Sequence, residues 1–349
     1  MGIDGKKIYR WYKEVLSHFT DQEEQLKLHK YDLVLSTALD PKTGKIPTIA
    51  VPIFKQENFG ENMAIDDKNI GGEGYTILSN KETGKIAILA QATQASLLTK
   101  IIEKIPVSVR YSVRTITKDL AEGYDWIART LFLNATRIAD KFHVLKLGFT
   151  ALQDVRVRYR QQVLTEERMQ REERKAQERE QKAACELIGK KYKKLSDKPV
   201  KAKTYENGDT KKELLARSRY LLFAFKEKWT ESQRKRAEIL FHEFPEIAKA
   251  YNQMVHFRNF YQINIGDIQT ANKKLKEWYE EVSKEGIEEM INFTSTVAHH
   301  EGSILNYFKT GQTNAFAESL NSQIQRFVQN NQGTNDRNFF HFRMKGYFS

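Results

Sequence analysis

The sequence predicts an α/β fold: a mixed five-stranded sheet with flanking helices, interrupted by a long all-helical insertion. Three observations carry this. Between residues 62 and 149, short β-rich segments and amphipathic helices alternate in the order β-β-β-α-β-α-β. After Leu147 the strand signals stop, and residues 150–309 are helical in period almost throughout. An amphipathic helix then closes the chain near its C-terminus, over Thr313–Val328.

The elements follow in order. Residues 1–61 read as a basic amphipathic helix from about Lys6 to Phe19, a polar helical stretch at Gln22–Lys30, and a turn-rich connector containing DPKTGK. Asn62–Asp66 is a short apolar segment ending in acid. Gly74–Asn80 and Lys85–Gln91 are β-rich and separated by turn residues, so these three segments form a meander. Leu97, Leu98, Ile101 and Ile102 fall at helical spacing before Pro106 ends the pattern. Val113–Lys118 alternates as a strand, Ala121–Phe132 is helical, and Thr136–Val144 is again strand-like. A strand joined to the next through a helix is nearly always a right-handed crossover to a parallel neighbour, while the first three strands can pair as hairpins.

In the helical region, Thr230-x-x-Gln233 fits a capping box, Pro245 marks a break, and Gly266, Gly286 and Gly302 suggest turns. Thr165–Lys182 is polar on every face. Its Glu167/Arg171 and Glu178/Lys182 pairs suit a solvated strut, with DNA contact as the alternative. Residues 189–212 are basic, turn-rich and low in apolar residues. On the closing helix, Asn314 is a candidate N-cap. Phe316, Leu320, Ile324 and Phe327 form one stripe, and Glu318, Asn321, Ser322 and Gln325 form the opposite one.

Composition narrows the function classes. Across 349 residues, 57 Lys and Arg against 45 Asp and Glu give a formal charge of +12, which favours polyanionic partners and puts nucleic acid first. Cys185 is the sole cysteine, so an internal disulfide and a Cys-rich zinc module are excluded. No apolar run reaches the roughly 18–20 residues that cross a bilayer, and the first residues scatter their charges rather than forming a secretory signal. Lys6 stands where a lipidation motif wants Ser or Thr. The expectation is a cytoplasmic protein with no membrane partner.

Three carboxylates stand out: Asp66 and Asp119 at expected strand ends, and Glu318 on the closing helix. Ligands of such sheets gather at the carboxyl ends of strands near a topological switch. Carboxylates brought together repel and raise one another's pKa unless a cation lies between them. Hard oxygen ligands suit Mg²⁺, and a pair of such ions about 3.5–4 Å apart can drive an in-line phosphodiester displacement.

The motifs Ile65-Asp66-Asp67, Thr117-Lys118-Asp119-Leu120, Ala139-Asp140-Lys141-Phe142-His143-Val144-Leu145-Lys146 and Asn314-x-x-x-Glu318-x-x-Asn321 resemble those of bacterial insertion-sequence transposases of the DDE type. The similarity is greatest to the ISL-three group, including its ISAon-one-like branch, and runs from about Ala64 to the C-terminus. It implies an RNase H-like core in which Asp66, Asp119 and Glu318 bind two Mg²⁺ ions, with Mn²⁺ as a substitute. It also implies cleavage at element ends, followed by attack of the freed 3′ hydroxyl on target DNA. Asp140 and His143 match a D-x-x-H signature, and with Asn321 they are expected beside the site rather than on the metal. Asp67 departs from the commoner Glu at that place.

The implied division is residues 1–61 as an N-terminal helical and connector region and 62–149 as the first part of the core. Residues 150–309 would be the insertion, and 310–349 the helical completion of the core. Lys141, Arg326, Arg337 and Arg343 are expected phosphate contacts, which set affinity rather than sequence. The aromatics of Asn338–Lys345 are expected to seal the last helix onto the core. The implied partners are element-end and target DNA, a separately encoded DNA-recognition protein, and a second protomer on DNA, near the nucleoid. The competing reading is a DNA-binding regulatory protein derived from such an enzyme, no longer cutting.

Overall fold

A computed structural model describes the chain except residues 1–3, 37, 41–43, 45, 190–191, 193–202, 313–314, 332–333 and 335, and the side chains of residues 315, 317 and 318. Two compact units emerge. One comprises Met1–Val144, Asn264–Ile268 and His300–Ser349, and the other Leu145–Ile263 and Gln269–His299.

The first unit begins with α1 (Gly5–Trp11), which continues as a π-helical turn over Tyr12–Leu16, and α2 (Gln22–His29). The connector holds a two-stranded ribbon, β1 (Leu33–Val34) with β2 (Thr48–Ile49). The main sheet comprises β3 (Ile53–Phe54), β4 (Asn62–Ile70), β5 (Glu73–Asn80), β6 (Ile86–Ala90), β7 (Thr115–Lys118) and β8 (Thr136–Ala139). Its spatial order is β3-β6-β5-β4-β7-β8. The meander pairs antiparallel, and β7 and β8 join β4 in parallel, as the connection rules require. The sheet has one strand more than the sequence suggests, because β3 offers only two residues on the β6 edge.

Helices cover both faces. α3 (Ala95–Ile102), α4 (Val107–Ser112) and α5 (Glu122–Leu131) lie between the strands in the chain. Leu98, Ile101 and Ile127 from α3 and α5 bury against Met63, Ile65 and Ile116. On the other face Leu320, Ile324, Phe327, Met344 and Phe348 pack on Ile77, Ile86 and Leu89.

The β4–β5 hairpin turns on Gly71 and Gly72, both at positive φ (62° and 89°), a two-residue turn that L side chains oppose. That turn carries β4 past Asp66 to Ile70. The acid expected at a strand end therefore sits mid-strand, supported by β5 beyond the point where β7 stops. The strand expected over Thr136–Val144 is shorter, since the Asp140 carboxylate accepts from Phe142 N (2.9 Å) and converts the chain to helix.

The helix that starts there, α6 (Lys141–Leu187), runs into the second unit. Then follow α7 (Lys211–Arg217), α8 (Glu231–Glu243), α9 (Pro245–Phe260), α10 (Ile268–Glu285) and α11 (Glu288–His299). The Thr230–Gln233 capping box opens α8, and Pro245 starts α9 at its first turn, where its missing N–H costs nothing. Leu240, Tyr251, Phe257, Trp278 and Phe293 are buried in this unit. The polar stretch of α6 is exposed, but Glu167 pairs with Lys212 (3.1 Å) rather than with Arg171.

Back in the first unit come α12 (Glu301–Thr310), α13 (Ala315–Asn330) and α14 (Arg337–Phe348). Gly302 lies inside α12 rather than at a turn, the break falling one residue before that helix, at His300. Asn306 Nδ2 donates to Arg137 O (2.9 Å), which ties α12 along β8. Phe316 is 49% exposed and leaves the apolar stripe expected of it, its ring resting near Gly84 instead. The candidate cap Asn314 lies outside the described residues. Phe339 of α14 is fully buried with Phe19 and Leu28, so the closing aromatics pin α14 to the N-terminal segment.

Candidate functional site

Side-chain alternation along β4 sends Met63 and Ile65 to the α3/α5 face and leaves Ala64 and Asp66 for the opposite one. Register then decides what lies beside Asp66. Ile65 pairs with Lys118 on β7, and Lys118 pairs with Ala139 on β8. The next residues on these three neighbouring parallel strands are Asp66, Asp119 and Asp140. Asp140 N still donates to Lys118 O (2.7 Å), so the level continues past the last regular pair. Strands lie about 4.8 Å apart, which sets three acids in a row across the sheet.

Each acid is held. Asp66 Oδ2 accepts from Asn321 Nδ2 of α13 (2.7 Å), and its Oδ1 accepts from Asp67 N (2.9 Å). An ionised carboxylate can only accept, which fixes the amide end of Asn321 toward it. Asp119 Oδ1 accepts from Ala121 N (2.8 Å). Asp140 is 3% exposed, and its Oδ2 lies 3.4 Å from His143 Nδ1 on the first turn of α6.

Burial raises the Asp66 pKa above its ordinary value of 3.8, and the charge of Asp67 adds to this. The bonds from Asn321 and Asp67 N–H and the field of His143 oppose it. Asp119 is also raised, first by burial and then by Asp67, against the Ala121 N–H, His143 and Lys118. Two carboxylates so placed are disfavoured as bare anions, and both gain from a cation between them.

Glu318 sits on α13 three residues before Asn321, hence one turn earlier on the same helix face. Its side chain lies outside the described residues. Lys141 is partly buried over the Tyr307 ring (5.7 Å), and desolvation lowers its pKa. Arg326 is exposed on α13. Arg337 is ion-paired with Glu73, and Arg343 donates to Asn331, so both are anchored at the α14 side of the unit.

The family model for transposases of the ISL3 (ISL-three) group of DDE enzymes matches residues 63–344, well over half of the chain. The chain belongs to this transposase family. No curated protein and no solved structure matches it. The strand order β6-β5-β4-β7-β8 with helices on both faces is the RNase H-like arrangement expected of such a transposase.

Two lysines beside the acid row were given no role by the sequence. Lys118 turns to the α5 face, where its Nζ contacts Asp125 (3.1 Å) and donates to the carbonyl of Asp119 (3.2 Å), bracing the backbone that carries that acid. Lys81 reaches under the row from the far end of β5 and donates to Thr117 Oγ1 (2.9 Å). Burial lowers its pKa to about 8, with the charge of Asp140 opposing. Lys118 was already inside a quoted motif; Lys81 gave no local signal, since a charged residue after a strand normally marks a turn.

Proposed function

We propose that this transposase cuts DNA at the ends of an insertion sequence and joins the freed ends to target DNA, using Asp66, Asp119 and Glu318 as ligands for two Mg²⁺ ions. The observation that carries this reading is the register that sets Asp66 and Asp119 side by side under α13, the helix bearing Glu318. The donor set fits. It is built from hard carboxylate oxygens, and burial has raised the two described acids so that a divalent cation is favoured there. When bound, Mg²⁺ or Mn²⁺ lowers the pKa of the attacking water or hydroxyl and neutralises charge on the leaving oxygen.

The chain's own groups do the rest. Asn321 orients Asp66, the Ala121 N–H orients one oxygen of Asp119, and Lys118 fixes the Asp119 carbonyl. Asp140 and His143 stand beside the row as positioning groups, and Lys81 supplies positive charge beneath it. Lys141, Arg326, Arg337 and Arg343 serve as phosphate contacts, Arg337 only on exchanging its partner Glu73 for DNA. The insertion expected over residues 150–309 corresponds in this reading to the second unit, Leu145–Ile263 and Gln269–His299, with α12 counted in the core. A separately encoded recognition protein and a second protomer complete the assembly on DNA at the nucleoid.

The test is cleavage of a labelled element-end duplex in Mn²⁺. Asp66→Asn, Asp119→Asn and Glu318→Gln are each expected to lower the rate at least about 10³-fold with unchanged circular dichroism. Retained cleavage in one variant removes that residue from the reading.

A further inference from the structure

The N-terminal helix with its π-helical continuation, the C-terminal end of α13 and Arg343 in the middle of α14 enclose a groove of about 550 Å³ in the sheet-bearing unit, and it shares no lining residue with the acid row. Lys6, Arg10 and Lys13 come from α1 and its π-helical continuation, and Arg343 from α14. Lys6, Arg10 and Lys13 fall at i, i+4 and i+7, one helical face about 10 Å long at 1.5 Å per residue. Among the described residues neither Lys6 nor Arg10 has an ion-pair partner, and both are exposed. Lys13 is neutralised by Asp336 (2.5 Å), and Glu14 is the lining acid. Arg343 is held in place by Asn331 and by the Tyr12 and Phe327 rings (5.8 Å each). The remaining lining includes neutral hydrogen-bonding groups, Asn331, Thr334 and Tyr9.

We infer that this groove binds the phosphodiester backbone of duplex DNA. Cations interleaved with Asn, Thr and Tyr are the set that contacts phosphate and sugar, fixing position without reading bases. Lys6 and Arg10 stand about 6 Å apart along α1 and Arg343 enters from α14, so the three cations that remain for a polyanion are spread along a length of the groove, as successive backbone phosphates are, rather than gathered at one point. A single small anion would leave most of that length unused. The surface is thus a second anchoring point for DNA, built from the N-terminal segment.

The experiment is fluorescence anisotropy of a labelled 20-base-pair duplex with the full chain in the absence of divalent metal, across a salt series. Lys6→Glu/Arg10→Glu is expected to raise Kd at least tenfold and to reduce the slope of log K against log salt by about 2, near 0.9 per lost phosphate contact. Lys6→Arg/Arg10→Lys should restore binding. Lys100→Glu/Arg129→Glu, exposed positions on α3 and α5, makes the same change in net charge and should stay within about twofold of wild type. Equal weakening by both pairs, or no weakening by the first, overturns the inference. So does equal binding to phosphatidylserine vesicles that duplex DNA does not displace. Because binding is read without metal and without cleavage, the cleavage results of the acid-row variants bear on the acid row and not on this groove.

Discussion

His341 shows how much a single residue's reading depends on what covers it. In sequence it lies within Asn338–Lys345, where the aromatics are expected to seal the last helix onto the core and His341 itself is given no role. In the structure it is 1% exposed and its Nε2 lies 2.8 Å from the Tyr75 hydroxyl. Burial, with Arg337 and His29 adding positive field, pushes its pKa down to about 4. The unfolded chain protonates this ring near pH 6.5 while the folded one keeps it neutral until about 4. Stability from this group is therefore complete above about 6.5 and is lost as pH falls toward 4, a change on the order of 2–3 kcal/mol. Urea unfolding at pH 7, 5.5 and 4.5 should show His341→Gln with a flatter acid limb than wild type; parallel limbs would contradict the assignment.

At the scale of elements, α13 positions the site by burying Leu320, Ile324 and Phe327 against the sheet, each burial contributing about 1.5–3 kcal/mol. Ile324→Ala should cost about 2–4 kcal/mol in chemical denaturation, whereas Phe316→Ala should change stability by less than about 0.5 kcal/mol because the ring is exposed. Equal costs would mean that Phe316 packs as the stripe pattern suggested. The stripe illustrates what local pattern conveys. It gave the helix and three of its four anchors, just as β-rich residue types bounded by turn residues gave β5 and β6 and the capping box gave the start of α8. It could not tell that the helix leaves the sheet before Phe316, since that depends on where the sheet ends. The same limit hid the full length of β4, which is set by its partner β5, and the two-residue strand β3. Asp66 and Asp119 were legible because each follows an apolar strand pattern. Lys81 was not, because its role comes from crossing beneath β4 to Thr117, a contact between strands that no local pattern records.

At the scale of the whole molecule, the charge of +12 and the acid row pull in opposite directions. The basic surface gathers a polyanion, while the row keeps Asp66 buried and Asp119 half-buried, both raised, an arrangement that costs stability until a cation arrives. A raised carboxylate contributes stability only in its protonated form, at low pH, and that contribution is lost as pH climbs through its folded pKa. At pH 7.5 the metal-free protein therefore carries a penalty at both acids. Divalent metal at 100 times its Kd should return about 2.7 kcal/mol. Thermal melting at pH 7.5, with and without Mn²⁺, tests this most directly. Without metal, Asp66→Asn and Asp119→Asn should melt above wild type; with saturating Mn²⁺, wild type should rise past both. Variants that melt below wild type without metal, or that rise as far as wild type on adding Mn²⁺, would contradict a cation site built on these two acids.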